Sequence, residues 1–177
     1  TKMNHEQLFD GPSENWELGT RDTGSYATLS DVVKYLEWLG EKIEITSSKT
    51  KKLNNAAKAI AAQEASLTDL MINGEDNIKG LKDLDGIEII GGEKNQNRRG
   101  LVSFRIIGTS SHLIVDFLNN KGIRTHVRKA DHYSGNILKP LGWEDCIRVS
   151  VCHYNSSEEI KSLLLALNEY LLDAPTN

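Results

Sequence analysis

The sequence predicts an α+β fold: a ββαββα unit on a small, mainly antiparallel sheet, preceded by a long helix. Three observations predict it. The apolar period changes near residue 87 from the 3.6 of helices to the 2 of strands. Four short segments after that point, IEIIGG, LVSFRII, IRTHV and IRVSV, are rich in β-branched residues. The two helical segments among them, SSHLIVDFLNNKG and SSEEIKSLLLAL, each carry a single apolar stripe, which must be buried against a sheet face. Both helices are therefore expected on the same face.

Residues 1–24 are rich in Gly, Asn, Asp and Glu and read as loop. From Ser25 to Leu39 the apolar residues Tyr26, Leu29, Val32, Val33, Leu36 and Leu39 follow helical spacing, and Gly40 stands where a helix would stop. A polar stretch containing Lys49, Lys51 and Lys52 leads into an alanine-rich, proline-free run that ends before Gly74, a long helix of good intrinsic propensity. The strands 87–92 and 101–107 follow. Ser110 and Ser111 are candidate caps of the next helix, which ends before Gly122. IRTHV is the third strand, and a polar loop from Lys129 to about Gly142 leads to the fourth. Ser156 and Glu159 form a capping box for the last helix, whose buried face is Ile160, Leu163, Leu164, Leu167 and Leu171.

A formal net charge of -4 disfavours nucleic acid and anionic membrane surfaces, which need a positive excess to release counterions or meet head groups. Apolar runs stay short of the roughly 18 residues of a membrane helix, and the N-terminus has no basic-then-apolar signal region. A cytoplasmic protein is expected. Cys146 and Cys152 lie in one predicted strand, about 20 Å apart at the strand rise, too far for a disulfide.

Few residues carry a chemical signal. His126, His132 and His153 have neither helical i, i+4 spacing nor a compact set of Cys or carboxylate neighbours, so no metal site is expected. GEDNIKG and GGEKNQNRRG are turns without a phosphate-cradle pattern. Ser134 has His132 nearby but no nucleophile elbow around it. Two features remain. Glu17-Leu18-Gly19-Thr20 is a turn whose amides and hydroxyl could hold a phosphate, or a plain loop. Arg148, on a stiff strand just before Tyr154 and Asn155, could be a fixed receptor for a carboxylate, or a solvated surface residue.

In order, WELGTRDTGSYATLSDVVKYLEWLG, GLKDLDGIEIIGG, RRGLVSFRIIG, FLNNKGIRTHV and IRVSVCHYNSSEEIKSLLLAL resemble the C-terminal part of a class V aminotransferase. That pyridoxal-phosphate-dependent family of fold type I includes cysteine desulfurases and selenocysteine lyases. The similarity covers nearly the whole chain, and the order and spacing are more specific than any one motif. The resemblance implies that residues 1–49 are a remnant of the large cofactor domain and that residues 50–177 are the linking helix and small domain. It implies that Arg148 pairs with the α-carboxylate of an amino-acid substrate. Thr20, with Gly19, would donate to the cofactor phosphate, often across a homodimer interface. The loop RKADHYSGN corresponds to the one that carries the nucleophilic cysteine in desulfurases; here it holds His132, Tyr133 and Ser134 and no cysteine, so persulfide chemistry by the usual route is not expected.

The family's Schiff-base lysine, the aspartate partner of the pyridine nitrogen and the ring-stacking residue all lie before the region that matches Thr1. This chain alone is therefore expected to be a fragment or one half of a split enzyme, inactive by itself and without bound cofactor. The leading expectation is a substrate-clamping domain of a pyridoxal-phosphate enzyme acting on an amino acid. The competing one is a stand-alone, non-catalytic α+β module that binds a small ligand or a partner chain.

Overall fold

The structure, a computed structural model, describes residues 22–95 and 97–173, which fall into two compact units that meet between Ala57 and Lys58. In the first, helix α1 (Thr23–Ile43) opens on Asp22, whose Oδ1 accepts from Ser25 N at 3.1 Å. The stretch around Gly40 does not end the helix as the sequence suggests. Gly40 is buried inside α1, and a Cβ there would lie 1.8 Å from the carbonyl oxygen of Lys52 in helix α2 (Lys49–Asn73). The glycine is a contact point between two helices, a role that local sequence does not distinguish from a stop signal. Three ion pairs reinforce the contact: Lys52 with Glu41 at 2.9 Å, Lys49 with Glu37 at 3.8 Å, and Lys51 with Glu44. The apolar residues Tyr26, Leu29, Val32 and Trp38 of α1 are exposed.

In the second unit α2 runs into a two-stranded hairpin, β1 (Gly74–Glu75) and β2 (Ile78–Lys79), then a single 3-10 turn. The main sheet follows: β3 (Ile87–Ile89), β4 (Leu101–Ile106), β5 (His126–Lys129) and β6 (Asp145–Ser150), in the order β3-β4-β6-β5 and antiparallel throughout. Helix α3 (Ser111–Asn120) lies between β4 and β5, the four-residue α4 (Gly135–Leu138) between β5 and β6, and α5 (Ser157–Asp173) closes the described chain. No helix among the described residues is long and apolar enough to cross a membrane.

Strand alternation divides the sheet into two faces. Val102, Phe104 and Ile106 of β4 and Ile147 and Val149 of β6 share one core with Ile114, Val115 and Leu118 of α3 and Ile160, Leu163, Leu164 and Leu167 of α5. Leu67, Met71 and Ile72 of α2 complete it. Both sheet helices thus pack on one face, as their single apolar stripes require. The opposite face is formed by Glu88, Ser103, Arg105, Arg128, Cys146 and Arg148, with the small cluster of Leu138, Trp143 and Cys146 beside it. Arg105 is fixed there from two sides, by Glu88 at 2.6 Å and by the Trp143 ring at 4.3 Å.

The strands are shorter than the apolar runs that announce them. β3 ends at Ile89 because Gly91 and Gly92 take φ of +79° and +74°, outside the extended region. β5 starts at His126 and not at Ile123, since the Ile123 amide bonds back to Leu118 O at 2.9 Å and closes the end of α3. α4 was expected as loop, being too short to show a period. Cys152 lies beyond the end of β6, in a turn where its amide donates to Asn155 Oδ1 at 2.8 Å.

Candidate functional site

Arg148 is held by strand pairing on both sides, opposite Ser103 of β4 and His126 of β5. A residue on an inner strand has its backbone direction fixed twice over, so the side chain leaves the sheet along a set line. The turn after β6 adds to this: Asn155 N donates to Cys152 O at 2.9 Å, and Gln63 of α2 donates to Asn155 O at 3.2 Å. The strand end that positions Arg148 is thereby tied to the long helix.

The sheet face around Arg148, opposite α3 and α5, is concave, with a cavity of about 500 Å³. Arg148, Ser103 and Cys146 line it from the sheet, and Tyr133 and Ser134 from the loop before α4. Two further arginines, Arg98 and Arg128, also line it. The Nε of Arg148 is buried and has no hydrogen-bond partner among the described residues. A guanidinium donor removed from water without an acceptor is costly to leave unpaired.

The loop is held in shape by Asp131. Its Oδ1 accepts from Tyr133 N at 2.8 Å and Ser134 N at 2.9 Å. Those bonds, first from Ser134 and then from Tyr133, hold the Asp131 carboxyl below the usual range. His132 stacks on Tyr133 with ring centroids 4.1 Å apart and does not line the cavity. Burial pushes the Cys146 thiol up and keeps it protonated, which suits packing and not nucleophilic attack.

The structure therefore brings together Arg148, Tyr133 and Ser134 and leaves His132 at the side. Gly19 and Thr20 lie outside the described residues. Arg98 and Arg128 were not singled out from the sequence. The available signal for Arg128 was alternation: it shares strand parity with His126, which pairs with Arg148.

An antiparallel four-stranded sheet with α3 and α5 on one face and an arginine-lined cavity on the other makes this unit a small α+β domain. The Aminotransferase class-V family profile matches residues 56–163, and the chain belongs to that family. It is 35% identical over 115 residues to a probable cysteine desulfurase of Pseudomonas putida, covering 65% of this chain and 26% of that protein. It is 30% identical over 162 residues to a probable cysteine desulfurase of Borreliella burgdorferi, covering 92% of this chain and 33% of the relative. Among solved structures, an apo cysteine desulfurase from Thermococcus onnurineus NA1 superposes with a TM-score of 0.70 at 24% identity, over 91% of this chain and 34% of that one, a likeness of fold. The chain thus spans about a quarter to a third of the length of the proteins it matches.

Proposed function

We propose that this chain is the substrate-clamping part of a pyridoxal-phosphate-dependent enzyme acting on an amino acid, with Arg148 as the receptor for the α-carboxylate. The observation that carries the reading is Arg148 itself, held on an inner strand and lining a cavity together with Tyr133 and Ser134 of the loop before α4. A planar guanidinium on a stiff element gives a carboxylate a bidentate seat with little ordering cost.

The described residues fit the substrate's carboxylate better than they fit the cofactor. Among the described residues the cavity lining includes no lysine that could hold the cofactor covalently, and the proposed phosphate donors Gly19 and Thr20 fall outside them. In the complete enzyme pyridoxal phosphate supplies the sink for negative charge developing at the amino acid's Cα. The share of this chain is to bind and orient. Arg148 fixes the carboxylate, and Asp131 shapes the loop that presents Tyr133 and Ser134. Membership of a family whose matched relatives are named cysteine desulfurases supports an amino acid as the ligand. The loop with His132, Tyr133 and Ser134, which resembles the one that carries the nucleophilic cysteine in desulfurases, has no cysteine, so the proposal does not extend to persulfide formation.

Titration of this chain with L-alanine, against L-alaninamide as the control without a carboxylate, tests the reading. Amide resonances of β6 and of residues 131–134 are expected to shift with L-alanine and not with the amide, and to stop shifting in Arg148→Ala. Equal response to both compounds would remove the carboxylate from the account.

A further inference from the structure

The cavity holds more positive charge than one carboxylate needs. Arg98, Arg128 and Arg148 line it together, and among the described residues its lining includes no Asp or Glu. No ion pair is recorded for any of the three among the described residues. Arg98 resembles Arg148 in having a buried Nε without a hydrogen-bond partner. Its Nη2 is used in the loop, donating to Ile90 O at 3.0 Å and Gly92 O at 2.7 Å, and these bonds fix the guanidinium without neutralising it. Burial lowers the proton affinity of Arg98, as expected for a cation with no carboxylate beside it. Arg128 is exposed and extends from β5 opposite Cys146. Asp131 feels the charge of Arg128, and its Oδ1 is already engaged by two backbone amides.

Three guanidinium groups around one small cavity repel one another, and two of them keep buried donors unmet. A monoanion seated on Arg148 leaves the other two uncompensated. A ligand with a second negative group would balance more of that charge. We propose that the site is built for an amino acid with an acidic side chain, its α-carboxylate on Arg148 and its second anionic group between Arg128 and Arg98. This rests on the assignment of Arg148 made above and adds the class of substrate. Arg98 serves two ends, closing the β3–β4 connection through its Nη2 bonds and lining the cavity with its positive charge. Arg128 is the specificity residue with no structural bond to lose.

The test is a pair of isosteric ligands, L-aspartate and L-asparagine, titrated into the chain by amide resonance shifts. L-aspartate is expected to bind at least about tenfold more tightly, the ratio that one charge-assisted hydrogen bond supplies. In Arg128→Gln the ratio falls to about one, and Arg128→Lys, which keeps the charge, restores part of it. Unshifted β5 and β6 resonances in the ligand-free variants exclude a folding defect as the cause. A wild-type ratio near one overturns the proposal, as does a ratio that survives Arg128→Gln. Inorganic phosphate forms a third arm. If phosphate, and not L-aspartate, is the ligand whose affinity drops in Arg128→Gln, the second anion is a phosphoryl group and the acidic side chain is ruled out. The two assignments fail separately. L-alanine affinity that is unchanged in Arg148→Gln removes the carboxylate receptor. Loss of the aspartate preference, while Arg148→Gln still weakens L-alanine, removes the second anion alone. Binding of none of the ligands overturns both.

Discussion

Asp131 carries a clear test of how single residues shape the site. Its carboxylate holds two successive amides, so Asp131→Ala should speed hydrogen exchange at Tyr133 and Ser134 and leave exchange in β4 and β6 as it was. The same contact has a pH dependence of known sign. The carboxyl is held below its usual value in the folded chain, so its contribution is complete above the ordinary aspartate pKa of about 3.9 and is lost as pH falls through the lower folded value. Protection of the two amides should therefore persist at neutral pH and disappear in acid below that point; protection that is flat across this window would separate the loop's shape from Asp131. At this scale the sequence was partly legible. An arginine at strand spacing before a turn pointed to Arg148. Arg98 was hidden because a loop such as NQNRRG gives no orientation for its side chains, and its direction comes from carbonyl groups of Ile90 and Gly92 that only the fold brings near.

At the scale of elements, two signals with equally strong local rules behaved differently. The capping box of α5 formed as its spacing requires: Ser156 N donates to Glu159 Oε2 at 2.8 Å, and Glu159 N donates to Ser156 Oγ at 3.3 Å. Ser156→Ala should cost about 1 kcal/mol, measured by urea unfolding. Gly40, by contrast, is decided by a helix distant in register. Its missing Cβ makes room for the Lys52 carbonyl, so Gly40→Ala should destabilise the α1–α2 contact by about 1–3 kcal/mol despite the better helix propensity of alanine. A raised melting temperature in that variant would mean that the helices separate without penalty. Elements whose ends are set by their own residues were legible. Those ended or continued by a neighbour, such as α1, or by a helix closure, such as the start of β5, were not.

Over the whole molecule, the sheet has an apolar face that pays for folding and a charged face that carries the proposed site. Phe104, fully buried among α3, α5 and the inner strands, belongs to the first, and Phe104→Ala should cost about 3–5 kcal/mol. The class of fold followed from the period change and the two apolar stripes. The strand order did not, because β6 sits between β4 and β5 although it comes last in the chain, and strand pairing over that separation leaves no mark in local pattern. The cavity-bearing face was legible only through Arg148, since polar and charged strand residues look alike whether they meet solvent or a cavity. Arg148 is thus the point where fold and proposed function meet, and the dissociation constant of L-alanine for wild type, Arg148→Ala and Arg148→Lys, beside a melting curve for each, tests that meeting directly. The account predicts a loss of about 2 kcal/mol or more in Arg148→Ala, incomplete recovery in Arg148→Lys because a point charge does not reproduce the planar fork, and melting temperatures close to wild type. An unchanged dissociation constant in Arg148→Ala, or a collapse of its melting temperature, would make Arg148 a surface or structural residue and contradict the account.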